Sequence, residues 1–504
     1  MDAAEVKSTR GVRLRDVFLH GAEPPPVDII ARQAWYPWLV VGLTCVGAFI
    51  GQVDASIVQL ALPHLGQVFH AKLDAVSWVS LAYLLAFAST LPVFGRLCQM
   101  FGRKLLYLIG YLLFTVASVL CGFAPDLASL IAFRVLQGVG GALLGANSIA
   151  ILVKAVDPSR RGQALGYFAA AQAIGVSAGP IVGGLLLGTL GWQWIFWVVV
   201  PFGLAAAIIG WLALPQTTGL SADRRFDWYG ALLLTPALTA LMIVLNEIPA
   251  WGLASPALLG CAVAAVVLIA LFVRLESACA FALVDVRLFR EPAFAFGTIG
   301  AVLGYALLYG MFFVMSYALV RGYHDSPRLA GLHLAVLPIA IGVVASFSGG
   351  LSDRIGTRAI SVTGMLVCAV AVLLESAIVA DPAVGSVASL VALALYGAGL
   401  GLFIAPNTHA TIEAAPAELS GEAGAMLNLM RVLGTSLGVA TASSMLSWRI
   451  QALSGTDDRG LTFAGRPLLD AIVESLLVLA VFALIAAAVS LVRAKPAAPD
   501  RAAS

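Results

Sequence analysis

An arginine and an aspartate lie inside segments that are otherwise apolar. Arg134 interrupts the apolar run from Leu127 to Val153, and Asp54 is the acidic residue of the first hydrophobic segment. A charged side chain at the centre of a membrane helix costs about 2.5–3.5 kcal/mol on insertion scales, so it persists where it faces a cavity or a partner. We therefore expect Asp54 and Arg134 to pair. A buried acid beside a buried base is the minimal equipment of a site that a proton can switch.

Within such a site the two groups have different tasks. Arg134 stays protonated at any working pH, so its role is electrostatic, whereas Asp54 can gain and lose a proton. Gln137 lies three residues after Arg134 on the same helical face and is placed to extend the hydrogen-bond network or to line a substrate cavity. A purely structural ion pair is the alternative interpretation of Asp54 and Arg134.

Other polar and aromatic residues are candidates for a substrate cavity. Asn428 and Arg431 are three residues apart and share a helical face, where they either line a cavity or pin a helix pair. Tyr305 and Tyr309 belong to an aromatic stripe that indicates helix packing, lipid contact or a pocket wall. Glu375, near the end of its hydrophobic segment, is interpreted as a solvated rim residue.

The composition indicates that a membrane protein positions these residues. The chain has 504 residues, of which 61% are hydrophobic and 11% charged, and its mean hydropathy is +0.97. That composition exceeds what a soluble protein of this length requires. The net charge of +2 does not indicate nucleic-acid binding, and the cysteines and histidines lack zinc-type spacing. We therefore expect no metal, no cofactor and no nucleic-acid partner.

Fourteen hydrophobic segments are long enough to cross a bilayer, since each crossing needs about 20 apolar residues. They cover residues 36–60, 73–94, 104–123, 127–153, 162–188, 193–214, 227–246, 255–275, 292–319, 329–349, 358–380, 386–406, 420–446 and 469–493. The sequence thus predicts an all-α membrane protein with two six-helix bundles, residues 36–214 and 291–493, and two inserted helices within 215–290. Residues 1–35 and 494–504 are predicted to be cytoplasmic tails.

The distribution of basic residues predicts the orientation in the membrane. Loops between even spans and the following odd spans carry thirteen Lys and Arg, whereas the alternate loops carry six. The two tails add five and three to the richer side. By the positive-inside rule, both termini of this multi-pass protein are expected on the cytoplasmic side of the cell membrane, with the lipid bilayer as its surroundings.

Two short basic loops at corresponding positions suggest homologous halves. The loop after the second segment contains Gly95, Gly102 and Arg103, and the loop after the tenth contains Asp353 and Arg354. Both loops combine glycines with basic residues at matched positions. The seventh and eighth segments lie between the two six-segment halves, and we interpret them as an insertion.

The fifth segment carries glycines at close spacing around a proline. Glycines about four residues apart let another helix approach closely, and a proline permits a kink. We expect this segment to pack tightly at the interface between the halves, although ordinary membrane-helix packing is the alternative. The residues concerned are Gly175, Gly179, Pro180, Gly183 and Gly184.

Five local motifs resemble the major facilitator superfamily, specifically its fourteen-span drug:proton antiporters. The motifs lie in order on the predicted spans and cover residues 54–63, 95–104, 134–142, 175–184 and 191–196. The resemblance extends over about residues 36–493. It implies the major facilitator fold and export of small molecules in exchange for protons, with the acid and the arginine of the first and fourth spans as the proton-coupling pair. It also implies that the two basic loops and the glycine–proline segment gate the conformational change.

One loop departs from the family pattern. Gln99 and Met100 stand where the family's loop carries an acid and an arginine, and that acid helps to hold the outward-facing state. The second-half loop retains Asp353 and Arg354. We expect this chain to favour the inward-facing state more than its relatives do.

The leading hypothesis is a proton-coupled antiporter that exports small amphipathic molecules by alternating access. A dedicated exporter of one metabolite, antibiotic or siderophore is the alternative within transport. A receptor or scaffold that has lost transport is a more remote alternative, and no residue cluster supports a membrane enzyme. The sequence leaves open whether an accessory export protein takes part.

Overall fold

Fourteen helices in the described part of the chain are long and apolar enough to cross a membrane, which confirms the predicted number. The computed structural model describes residues 23–217, 226–252, 254–279, 283–381, 385–416, 419–454 and 464–492. The first seven spans, α1 to α7, are Tyr36–Val68, Leu73–Phe101, Arg103–Gly122, Leu127–Ala155, Pro158–Leu187, Trp194–Ala213 and Trp228–Ile248. The remaining spans, α8 to α14, are Pro256–Ala278, Pro292–Gly322, Pro327–Ser352, Thr357–Ala380, Ser386–Glu413, Glu422–Leu453 and Arg466–Val492.

The packing of the spans repeats with a shift of eight helices. In the first half α1 packs on α5, α2 on α4 and α3 on α6; in the second half α9 packs on α13, α10 on α12 and α11 on α14. The halves meet where α2 packs on α13 and α5 on α10. The inserted helices α7 and α8 pack on each other, and α7 also contacts both α2 and α13. The fold is thus two six-helix bundles with two added helices.

The two ends of the bundle differ in charge. Arg103 and Arg160, at the starts of α3 and α5, and Arg287, just before α9, lie at the end we call the basic end; the other is the opposite end. Helix α1 runs on to Val68 at the opposite end, eight residues beyond the predicted limit. It continues because Leu62 and Leu65 are fully buried there and reward the extra helical turns.

Helix α4 is built for close approach to its neighbours. The Asp126 carboxylate caps its first turn by accepting a hydrogen bond from the Ser129 amide at 2.7 Å, which lowers the pKa of Asp126. About three turns later, glycines replace side chains: a Cβ at Gly140 would lie 2.6 Å from the backbone nitrogen of Phe114 in α3. Helix α4 therefore lies tightly between α2 and α3, and its polar residues face the inside of the first half.

A short segment before α1 closes the basic end of the first half. The Glu23 carboxylate accepts hydrogen bonds from the Thr217 amide at 2.5 Å and the Leu105 amide at 3.2 Å. Lys104 donates to the carbonyls of Pro24 at 2.8 Å and Leu214 at 2.7 Å. The segment therefore ties the start of α3 to the end of α6, a role that the prediction of a simple tail did not include.

Candidate functional site

An ion pair and an amide form one closed hydrogen-bond network inside the first half. Arg134 Nη1 donates to Asp54 Oδ2 at 2.7 Å and to Gln137 Oε1 at 2.6 Å. Gln137 Nε2 in turn donates to Asp54 Oδ1 at 2.8 Å and to Ser118 Oγ at 2.8 Å. Both carboxylate oxygens are therefore occupied, one by a cation and the other by a neutral amide. Protonation of the carboxyl would weaken both contacts at once.

The guanidinium is held on two further sides by α2. Arg134 Nε donates to the Val79 carbonyl at 2.9 Å, and the guanidinium carbon lies 4.3 Å from the centroid of the Tyr83 ring. Among the described residues, Arg134 Nη2 has no acceptor. A buried charged donor without an acceptor adds to the cost of burying this ion pair.

The network is fully buried and lies towards the opposite end of the bundle. Asp54, Arg134 and Gln137 are each 0% exposed. Ser118 lies four residues before the end of α3 at Gly122, and Val79 lies six residues after the start of α2 at Leu73, both at the opposite end.

A cavity of about 390 Å³ lies between the two halves. Its walls come from α1 to α5 and from α9, α12 and α13, and they extend to Ile149, Leu165, Ile412 and Gly424 near the basic end. At the opposite end the halves are in contact: the Gly184 and Gly331 backbones touch where α5 crosses α10. The cavity therefore opens towards the basic end.

Four of the five residues predicted for the cavity line it. Tyr305, Tyr309, Asn428 and Arg431 all belong to its wall. Tyr309 also donates to Gln52 Oε1 of α1 at 3.4 Å and so links the halves. Gln137 does not reach the cavity, because its side chain is turned towards α1 and α3 within the acid network. It is a partner of the ion pair instead.

The glycine–proline segment of α5 presents two contact faces. Gly175, Gly179 and Gly183 lie against α1; a Cβ at Gly175 would lie 2.8 Å from the Phe49 carbonyl oxygen. Gly184 and Pro180 lie against α10 of the other half, where the Pro180 carbonyl contacts Gly331. The segment therefore joins the helix that carries Asp54 to the helix that closes the opposite end.

The loop residues predicted to gate the transition occupy unlike positions. Gly95 has open space around it, whereas Gly102 has a φ of 109° and lies against the Glu23 carboxylate. The Arg103 amide donates to Thr217 Oγ1 at 2.7 Å. Arg354 is exposed at the end of α10, and the side chain of Asp353 lies outside the described residues.

The interpretation of Glu375 as a rim residue is wrong. Its side chain is 1% exposed, because Ser389 and the start of α12 cover the end of α11. Asn246 of α7 was not singled out in the sequence, yet Ser77 of α2 and Ser443 of α13 both donate to its carboxamide oxygen, at 3.0 and 3.1 Å. An asparagine inside a hydrophobic segment was the available signal for this site.

Comparison with known proteins places this architecture among transporters. The family model described as Major Facilitator Superfamily matches residues 44–439. The chain is 34% identical over 416 residues to the tetracenomycin C resistance and export protein of Streptomyces glaucescens, covering 82% of this chain and 77% of that protein. It is 29% identical over 410 residues to the riboflavin transporter RibZ of Clostridioides difficile, covering 81% and 88%.

A solved structure has the same fold. A bacterial homologue of the human lysosomal transporter Spinster, in an inward-facing and unoccupied conformation, superposes with a TM-score of 0.69 over 92% of this chain and 97% of that one. The identity is 17%, so the likeness concerns the fold alone.

Proposed function

The chain belongs to the major facilitator superfamily, and from that premise we propose that it is a proton-coupled antiporter that exports small amphipathic molecules across the cytoplasmic membrane. The observation that carries the proposal is the buried network of Asp54, Arg134 and Gln137. An ion pair of this kind costs several kcal/mol of desolvation per ion, which a purely structural contact between apolar helices does not require. Its retention is accounted for if the acid exchanges a proton during transport.

The orientation follows from the basic loops. With the basic end in the cytoplasm, as the positive-inside rule indicates, the cavity opens inwards and the acid network lies nearer the outside. Substrate would then enter the cavity from the cytoplasm or the inner leaflet. A proton would reach Asp54 from the outside once α5 and α10 part.

The proton step acts through hydrogen bonds that are already in place. A proton on Asp54 removes the negative charge that Arg134 faces, and the buried guanidinium is left with Gln137, the Val79 carbonyl and the Tyr83 ring. An unpaired buried cation is strongly unfavourable. The protonated state therefore favours a rearrangement of α1 against α4. Because α1 lines the cavity and also packs against α5, this rearrangement would reach both.

The proposal is tested in proteoliposomes by the efflux of a hydrophobic dye under an imposed pH gradient. Wild type is compared with Asp54→Asn, which keeps the shape of the side chain but cannot exchange a proton. Asp126→Asn at the exposed start of α4 is the matched control, since asparagine also caps a helix. Gradient-driven efflux lost in Asp54→Asn and kept in the control supports the proposal. Efflux that still follows the gradient in Asp54→Asn contradicts this coupling site.

A dedicated exporter of one metabolite or antibiotic is the second candidate. The size of the cavity, about 390 Å³, favours it, because that volume is at the lower end of those for drug-sized ligands. Two of the relatives described above are named for one compound each, tetracenomycin C and riboflavin. A chain that moves no general dye but moves a single natural compound would decide for this candidate.

A further inference from the structure

The cavity wall carries charge of one sign. Of the described side chains that line the cavity, Arg431 is basic and none is acidic. Asp54 is 0% exposed and lies behind the wall, where the Tyr83 ring separates it and Arg134 from the cavity. A molecule in the cavity therefore meets the positive charge of Arg431 at the wall, whereas the Asp54 carboxylate behind the wall is already paired with Arg134.

The guanidinium of Arg431 is open to a ligand. Its carbon lies 6.0 Å from the centroid of the Tyr305 ring, and no carboxylate among the described residues lies within ion-pair distance. The side chain is half-buried. A half-buried guanidinium without a counter-ion attracts an anion more strongly than an exposed one, and its planar donors match a carboxylate or a phenolate.

The rest of the wall suits a flat aromatic body. Aromatic rings come from both halves, among them Phe87, Phe114 and Tyr309. Asn428, three residues before Arg431 on the same helix face, and Thr435, four residues after it, add polar groups along α13. Rings supply stacking surface and the polar strip of α13 fixes orientation, which is the usual composition of a small-molecule site.

We infer that the substrate is a flat aromatic molecule with an acidic group, a phenolate or a carboxylate, which binds Arg431 while its rings pack against Tyr305 and the apolar wall. This inference rests on the proposed transport function and narrows it. Lipophilic cations are disfavoured in this cavity, since they would approach Arg431 without a compensating carboxylate.

The test uses two dyes with the same ring system and opposite charge. Fluorescein is an anionic xanthene and rhodamine 123 is a cationic one, and binding of each to the purified full chain in neutral detergent is followed by fluorescence polarisation. We expect fluorescein to bind at least about 10-fold more tightly, because a hydrogen bond to a charged group contributes roughly 10- to 100-fold in affinity.

Three variants separate the charge from the fold. Arg431→Gln should lose about 10-fold or more in fluorescein affinity and lose nothing for rhodamine 123, while Arg431→Lys should recover part of the loss. Arg274→Gln, an exposed charge removed from the end of α8, should bind like wild type. An unchanged elution volume in size-exclusion chromatography establishes that the variants are folded.

The outcomes distinguish this inference from the proposed function. Equal or tighter binding of rhodamine 123, binding of neither dye, or an Arg431→Gln variant that binds fluorescein like wild type overturns the inference on substrate charge. Proton-driven transport that depends on Asp54 would survive each of these results. Conversely, selective fluorescein binding without gradient-driven transport would remove the proposed function and leave the charge preference in place.

Discussion

Ser77 and Ser443 belong to different halves of the protein and donate hydrogen bonds to the same atom, the carboxamide oxygen of Asn246. A third bond runs from Ser444 Oγ to the Leu245 carbonyl at 2.6 Å. The inserted helix α7 thus joins α2 to α13 at the opposite end. We call this connection the clasp, and we expect it to hold the opposite end closed while the cavity is open towards the basic end.

Removal of the clasp should favour opening of the opposite end. Asn246→Leu keeps the size of the side chain and removes the acceptor, and two lost hydrogen bonds amount to about 1–3 kcal/mol, or roughly 5- to 150-fold in the population of the open state. Spin labels at Thr189 and Val387, exposed at that end in different halves, report the change as a longer distance in pulsed electron resonance. The labels go into a background without the six native cysteines.

The control for this variant lies on the same helix. Thr239→Val removes a hydroxyl that donates to the Thr235 carbonyl of α7 itself, so it should leave the label distances unchanged. Unchanged distances in Asn246→Leu would show that the bonds to Asn246 do not hold the two halves together.

The crossing of α5 and α10 should be sensitive to one methyl group. A Cβ at Gly184 would meet the Pro327 carbonyl and would lie 3.2 Å from Gly331 Cα, so Gly184→Ala should force the helices apart. Overpacking of this kind costs typically about 1–3 kcal/mol. We expect a larger share of the long distance between the same two labels and a lower melting temperature.

A matched substitution exists in the same helix. Gly166 has nothing within 4 Å of an added Cβ, so Gly166→Ala should be neutral or slightly stabilising. Equal behaviour of the two alanine variants would refute the close contact at Gly184.

Gln137 should matter for stability as well as for coupling. Gln137→Leu removes the donor to Asp54 and Ser118 and the acceptor of Arg134, and it leaves buried polar atoms without partners. We expect a loss of about 2–4 kcal/mol in unfolding free energy, seen as a lower melting temperature in detergent. Gln163→Leu, at the exposed start of α5, is the control; a Gln137→Leu variant as stable as this control would contradict the network.

The departure at Gln99 should have a modest effect. Gln99 is exposed and accepts a hydrogen bond from Arg96 at 3.1 Å. Gln99→Asp restores an acid at the basic end, where exposed ion pairs contribute about 0.2–1 kcal/mol. If that acid helps to close the basic end, a cysteine at Ile412 on the cavity wall should react roughly 1.5- to 5-fold more slowly with an impermeant maleimide. Gln99→Asn should not change this rate. If Gln99→Asp reacts at the same rate as wild type, the expectation that loss of the acid favours the inward-facing state is contradicted.

The sequence contained most of the fold and the centre of the site, because both depend on strong local signals. A run of about twenty apolar residues crosses a bilayer as a helix, because a helix satisfies its own backbone hydrogen bonds. The fourteen spans could therefore be counted from the sequence. The cost of a buried charge requires a partner, so the contact between Asp54 and Arg134 could be predicted, although its role stays a proposal. The expectation for Glu375 failed because its cover comes from α12, a separate element.

Relations between elements were the part that the sequence did not contain. The glycines of α5 predicted close packing, but the division between Gly183, which faces α1, and Gly184, which faces α10, depends on where both helices lie. Asn246 acquires its meaning from two serines that are 169 and 197 residues away in the chain. Such partners come together only in the assembled bundle, because a single polar residue in an apolar helix does not indicate which helix will lie beside it.

The ring of Tyr83 stands between the cavity and the guanidinium of Arg134, and the acid network behind it has no exposed atom in this conformation. This ring separates the acid network from the cavity. A transporter whose proton site lay exposed in a cavity open to the cytoplasm would leak protons down their gradient while no substrate was bound. If Asp54 exchanges protons as proposed and the basic end faces the cytoplasm, this wall would let the substrate-free protein stay open to the cytoplasm without such a leak.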